Sequence, residues 1–384
     1  MERPLPAVRR EMIRVLADDI SKTSGRPTRS QLADVASKIV SEYPKSFQDN
    51  LDDAIVGTGY NSILTQLEHR FQNISRTVKP TKRPNSPNSL DSNKSKKRKR
   101  GASTSSYGTI PKEYQPELPE EEDESTQDLK KEALKDIYSS RVWNLDDLKG
   151  YLDETYPTVR LLINEGSQSI TTLKKEWPFL FEKVGMLHHF ERLVGIEVQE
   201  TLTAALVSKL PRIMQFMNAK QTTSKPLRKI LKEIEAAKRE DDTNNPDIIG
   251  LLVLLATFFG EDTRVFIHVE EETSLEADID KDTLPVTPCI IALCTSAVTS
   301  KCFMLVIDRE IVNCNISSPL EALCMLFASF FVFNIEYAKT AVATLEFVQC
   351  CLVRINPAKM KTWRGSAKVL SLINSLKDFE SDWN

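Results

Sequence analysis

The chain has 384 residues with a hydrophobic fraction of 41% and a charged fraction of 27%, which is room for two or three soluble domains. A net charge of -3 excludes a polyanion-binding balance for the whole molecule, yet it conceals segregation, because residues 76–100 are basic and Glu117 to Asp128 is acidic. No apolar stretch after Met1 resembles a secretory signal. The longest uncharged apolar runs, Ile248–Phe259 and Ala322–Ile335, fall short of the ~18–20 residues of a bilayer span, so no membrane contact is expected.

Residues 7–78 read as a small three-helix domain. Val8, Met12, Val15, Leu16 and Ile20 recur at helical spacing, and Gly25-Arg-Pro27 ends that stripe. Leu32, Val35, Ala36, Ile39, Val40 and Tyr43 form a second stripe that Pro44 closes. After the Gly57-Thr-Gly59 turn comes a third, Leu64, Leu67, Phe71 and Ile74. Off that last stripe lie His69, Arg70, Asn73 and Arg76, with Lys79 and Lys82 just beyond. A basic, exposed third helix is the geometry of many major-groove readers, so these four are the candidate nucleic-acid contacts. An ordinary solvated polar face accounts for the same residues.

Residues 79–128 lack periodicity and are rich in Pro, Ser, Asn, Lys and Glu, the composition of a disordered linker, basic then acidic. Its basic half holds Lys82 and Arg83, ten intervening residues, then Lys94, Lys96, Lys97, Arg98, Lys99 and Arg100. Two basic clusters across a Pro/Asn/Ser spacer form the two-part signal that importin-type receptors read with acidic, tryptophan-lined grooves, so a nuclear address is expected. The same run can hold phosphates without sequence preference, although no aromatic residue interleaves it for base stacking. Phosphorylation at Ser103, Ser105 or Ser106 would add charge beside the signal.

Residues 129–384 read as a larger α-rich domain. One stripe, Leu145, Leu148 and Leu152, is expected to stop near Tyr156-Pro157, and Pro211 to kink a long helix over 202–217. Leu227, Ile230, Leu231 and Ile234 make an amphipathic helix flanked by Lys225, Arg228, Lys229 and Lys232. Short β-rich runs follow at 265–269, 288–293 and 302–307, with a hairpin at Asp308-Arg309 into Glu310–Asn313, so β-strands are expected near 264–313. Helices return near 319–335, 338–354 and 366–378.

Residues 172–195, Thr-Leu-Lys-Lys-Glu-Trp-Pro-Phe-Leu-Phe-Glu-Lys-Val-Gly-Met-Leu-His-His-Phe-Glu-Arg-Leu-Val-Gly, resemble a block of the fish-expanded sterile alpha motif domain-containing protein 3-like family. The resemblance continues through Thr287-Pro-Cys-Ile-Ile, Phe330-Phe-Val-Phe-Asn-Ile-Glu-Tyr, Thr344-Leu-Glu-Phe-Val-Gln and Arg354-Ile-Asn-Pro357, and the helical block from Tyr60 to Arg76 is similar too. No sterile alpha motif segment is identified, so that module's oligomerising role is not implied. The likeness implies kinship and assigns no catalytic residues.

Chemistry-bearing residues are sparse. The seven cysteines, at 289, 294, 302, 314, 324, 350 and 351, show no C-x-x-C and only His268 nearby, so reduced thiols are expected and no metal. Cys294 or Cys302 with His268 would be a nucleophile pair lacking an orienting third group. The Trp177-Pro178-Phe179-Leu180-Phe181 patch reads as a core plug in preference to an exposed partner anchor. His188-His189 has no ligand spacing, and Asp308-Arg309-Glu310 fits a turn. No phosphate-binding loop, dinucleotide fingerprint, zincin or nucleophile-elbow motif occurs. The sequence therefore predicts a nuclear, non-enzymatic, cofactor-free interaction protein that associates with DNA or chromatin through the N-terminal domain and basic linker. A protein–protein adaptor without nucleic-acid binding is the second reading, and a cysteine-dependent enzyme the third.

Overall fold

The computed structural model describes residues 4–25, 27–51, 54–77, 114–119, 122–222, 224–240, 245–355 and 367–381. The linker with its import-signal positions, Lys82, Arg83, Lys94, Lys96, Lys97, Arg98, Lys99 and Arg100, lies outside them. As the sequence predicts, the fold is mainly helical with a short sheet set between helices. Two compact units divide the chain: Met1–Ser105 with Asn356–Asn384, and Ser106–Ile355.

The first unit contains α1 (Pro6–Thr23), α2 (Arg29–Glu42), a single turn α3 (Pro44–Phe47), the two-residue strands β1 (Asn50–Leu51) and β2 (Ala54–Ile55), and α4 (Asn61–Thr77). Thr28 starts α2 with a capping box: its hydroxyl accepts from the Gln31 amide, and the Gln31 side chain accepts from the Thr28 amide. The core is Ile13, Leu32, Ala36, Val40, Ile63, Leu64 and Leu67. The α1 stripe is in part the one expected, since Met12, Leu16 and Ile20 pack against the core. Arg9, Ile13 and Ala17 point inward at i, i+4 and i+8, and Val8 and Val15 are exposed. Apolar residues occupy both faces of α1, so periodicity alone did not select the buried one.

The C-terminal helix, Ala367–Ser381, belongs to this unit, whereas the sequence grouped 129–384 together. It buries Val369, Leu370, Leu372, Ile373 and Leu376. Asn374 Nδ2 donates to Ser62 Oγ at 2.9 Å, and Lys377 Nζ donates to the Gln48 carbonyl at 2.8 Å and to Asn50 Oδ1. Asp49 is buried beside these groups, and its carboxylate accepts from the Ser62 amide at 2.7 Å, which caps the first turn of α4. Burial pushes the Asp49 carboxyl above its ordinary value, against the pull of the Ser62 hydrogen bonds, Arg9 and Lys377. A three-helix core of this size is marginal, and the fourth helix supplies the missing apolar surface.

The second unit starts with α5 (Glu124–Ser140), α6 (Leu145–Glu165), α7 (Ile170–Glu176), a 3-10 turn at Pro178–Phe181 and α8 (Lys183–Val194). It continues with α9 (Val198–Lys220), α10 (Lys225–Glu240) and α11 (Asp247–Phe259). Strands β3 (Ile267–Glu270), β4 (Cys289–Leu293), β5 (Phe303–Ile307) and β6 (Glu310–Ile316) follow, then α12 (Pro319–Val332), α13 (Val342–Phe347) and a π-helical turn at Val348–Leu352. The strands lie in the order β3-β4-β5-β6, with β3 parallel to β4 and the remaining pairs antiparallel. The β5–β6 hairpin turns at Asp308 and Arg309, both at positive φ (53° and 63°), as a two-residue turn that matches strand twist requires.

Helix α6 does not stop at Pro157 but runs through it. A helix-interior proline costs about 3 kcal/mol. Burial of Tyr156, Val159, Arg160 and Ile163 on either side offsets that cost. Helix α9 likewise contains Pro211 within its span. The hub of the unit is α12, buried along nearly its whole length against α8, α9, α11 and β5. The Trp177–Phe181 patch is buried, with Phe181 stacked on Phe333 and Phe179 edge-on to Tyr138 and Trp143. Gly185 permits the turn into α8: a Cβ there would lie 2.0 Å from the Phe179 carbonyl oxygen.

Replacing Lys377 with Met should lower the stability of the first unit by about 1 kcal/mol, because the half-buried Gln48 and Asn50 acceptors lose their donor. Hydrogen exchange at the start of α4 reads this directly: it should quicken in the variant while α12 exchange is unchanged. Equal protection of α4 in both proteins would rule out the C-terminal helix as its support.

Candidate nucleic-acid interface

Helix α4 is positioned by α1 and α2 on its apolar side and by Asp49 and the C-terminal helix at its start. At 100° per residue, the stripe opposite Ile63, Leu64 and Leu67 contains positions 69, 73 and 76, at i, i+4 and i+7. His69 and Asn73 are exposed there, and Arg76 belongs to the helix at the same face. Arg70 does not share that face. It lies half-buried on the flank towards α1, with Nη2 3.7 Å from Asp18 Oδ1. The structure thus exposes His69 and Asn73 on one face and sets Arg70 against a carboxylate.

The field around this face is mixed. Glu68 is held by Arg29, whose Nη1 donates to both carboxylate oxygens at 2.8 and 3.0 Å. On α1, Lys22 pairs with Asp19 and Arg14 with Glu11. Residues 1–78 carry eleven Lys and Arg against ten Asp and Glu, whereas residues 79–100 carry nine against one. Positive charge is therefore concentrated in residues 79–100, whereas residues 1–78 are close to balance.

The enzyme candidates are dispersed in the second unit. Burial pushes the Cys289 and Cys324 thiols up to about 12 and Cys350 well above its ordinary value. Cys314 is also raised, by burial and then by Glu276. His268 Nε2 has no hydrogen-bond partner among the described residues, so neither Cys294 nor Cys302 is paired with it. An open groove of about 760 Å³ at the ends of β3 and β4 contains both cysteines, Glu270, Glu271, Glu272 and Lys301. No group of three or more His, Cys, Asp or Glu among the described residues could hold a metal ion. No helix among them is long and apolar enough to cross a membrane.

The adjacent histidines divide between surface and core. His188 Nε2 lies 3.1 Å from Asp153 Oδ1, which Arg192 Nε also meets at 3.2 Å. His189 is buried under Tyr156, with ring centroids 4.7 Å apart, beside a cavity of about 20 Å³ that has room for roughly one water. Burial, and then the charges of Arg160 and His188, hold His189 down to about 3.

Two buried charges and the half-buried Glu261 meet helix ends or turns instead of forming a reactive cluster. Arg160 Nη1 donates to the Val332 carbonyl at 3.0 Å at the last turn of α12, and its Nε and Nη2 donate to Asn164 Oδ1. The Glu261 carboxylate accepts from the Ala343 and Thr344 amides at 2.8 and 2.9 Å and from the Thr344 hydroxyl at 2.7 Å, at the start of α13. Lys209 Nζ donates to the Cys351 carbonyl at 2.6 Å. Sequence patterning did not single out these groups, since their partners are 82 to 172 residues away.

Residues 127–182 match the family model of the sterile alpha motif domain-containing protein 3 helical domain. That segment spans most of α5, then α6, α7 and the aromatic 3-10 turn, so the second unit is similar to that helical domain over residues 127–182. No curated protein and no solved structure matches the chain.

His189 fixes a pH dependence for the second unit. Its folded value lies below the ordinary 6.5 of the unfolded chain, so acidification protonates the unfolded state first and stability falls from about pH 6.5 towards pH 3. Between pH 6.5 and 5 the native protein should lose about 1.5 kcal/mol more than a His189→Gln variant. Denaturant unfolding at the two pH values checks this, and equal losses would mean that His189 becomes protonated inside the fold.

Proposed function

We propose that this is a nuclear interaction protein that associates with nucleic acid, the basic linker supplying attraction to phosphates and the outer face of α4 supplying local contacts. The observation that carries the reading is the outward i, i+4, i+7 stripe at positions 69, 73 and 76, which runs directly into the nine cations of residues 79–100. Its mechanism is non-covalent: Lys and Arg displace counterions from phosphates, and a polar helix face settles into a groove. The import reading rests on the two-part arrangement of Lys82, Arg83 and Lys94 to Arg100, whose partner is an importin-type receptor.

The family reading extends further under the same proposal. The match over 127–182, joined to the sequence blocks at 183–195, 287–291, 330–337, 344–349 and 354–357, supports placing the chain with sterile alpha motif domain-containing protein 3-like proteins that lack the motif itself. A protein–protein adaptor is the second reading. The near balance of charge in residues 1–78 and the Arg70–Asp18 pair favour it, since both weaken a helix meant for DNA.

Two experiments separate these. In the full chain, His69→Ala, Asn73→Ala and Arg76→Ala together should weaken binding to duplex DNA at physiological salt by about tenfold or more, read by fluorescence anisotropy. No DNA binding by the native chain at that salt would leave the adaptor. For the address, alanine at Lys96 to Arg100 should make a tagged protein cytoplasmic, and a variant still concentrated in nuclei would refute the import signal.

A further inference from the structure

We infer that α10 carries a second phosphate-contacting surface, a cationic stripe of Lys225, Arg228, Lys229 and Lys232 that takes a nucleic-acid backbone independently of the N-terminal face. The four residues fall at i, i+3, i+4 and i+7 and are all exposed. The opposite face, Leu227, Leu231, Ile234 and Ala237, is buried, which fixes the stripe towards solvent. Gly250 of α11 lets the two helices approach closely: a Cβ there would lie 2.5 Å from Ile234 Cδ1.

Helix stability does not explain this arrangement. Cations in the first turn oppose the helix dipole, and Lys225–Lys229 and Arg228–Lys232 are like-charge pairs at i, i+4. Among the described residues, carboxylates leave three of the four charges unneutralised. Lys229 alone has one, Glu233 at 3.7 Å. Arg228 is oriented by the Gln221 and Thr222 carbonyls at 3.2 and 3.4 Å, which hold the guanidinium and keep its charge.

A nucleic-acid backbone fits better than the other polyanions. Two helical turns set the end charges about 10 Å apart, and a strand presents a phosphate every ~3.4 Å of axis, so the stripe faces two or three of them. The helix has no apolar face left to insert into a membrane, because that face is packed against the protein. The exposed positions around the stripe offer no large apolar anchor of the kind a peptide partner uses.

The test uses the full chain with alanine at Lys94 to Arg100, so that the linker does not mask the result. In that background, glutamine at Lys225, Arg228, Lys229 and Lys232 is compared with the parent for duplex DNA binding across a salt series. The slope of log affinity against log salt should shrink by about 2 to 4, and arginine at the three lysines should preserve it. An unchanged slope in a variant whose thermal unfolding matches the parent would overturn the inference. So would loss of binding to polyglutamate or to anionic vesicles with DNA binding intact. Because His69, Asn73 and Arg76 are untouched, failure here is distinct from failure of the α4 reading.

Discussion

The size of the N-terminal core is the constraint on which the candidate interface depends. Three helices of this length bury too little apolar surface to be independently secure, and the chain meets the shortfall with its last helix. The junction is polar as well as apolar. Asp49 caps α4 from the loop, Asn374 meets Ser62 beside that cap, and Lys377 ties down the segment on either side of Asp49. The orientation of α4, and with it the outward face at 69, 73 and 76, is thus set by residues more than 300 positions apart in sequence.

In the second unit the same economy applies to buried charge. An isolated charge in a core is costly unless it is hydrogen-bonded. Here Arg160 closes the end of α12, Glu261 opens α13, and Lys209 holds a carbonyl of the π-helical turn. These groups fix the ends of buried helices to distant segments, and the aromatic turn at 178–181 fills the space beside α12. Among the described residues of this unit, Lys225, Arg228, Lys229 and Lys232 are exposed on the first half of α10.

Much of this was legible in the sequence, and the exceptions have physical causes. Most helical stripes, the strand runs and the Asp308-Arg309 hairpin follow from local periodicity and turn chemistry, and they appear where expected. In α1 the expected Met12, Leu16 and Ile20 do pack against the core, but Val8 and Val15 are exposed because Ile13 and Ala17 take the centre of the buried face. Pro157 reads locally as a stop, but burial on both sides overrides a local penalty. The home of the C-terminal helix was not legible at all, since no local signal says which core a distant amphipathic helix will join. For the candidate site, helical spacing was enough to put positions 69, 73 and 76 on one face, whereas the Arg70–Asp18 pair depends on how α1 and α4 pack. The α10 cations were visible as flanking charges, and their unneutralised state emerged only from the packing around them.

Each unit presents a cationic or polar helix face on a scaffold held by long-range polar contacts, and the proposed polyanion binding draws on those faces. The most direct test is hydrogen exchange of the full chain with and without duplex DNA at physiological salt. Slowed exchange in residues 61–77 and 225–232, with α12 unchanged, is the predicted result. Slowed exchange confined to the groove at the ends of β3 and β4, or no change anywhere in a folded protein, would contradict it.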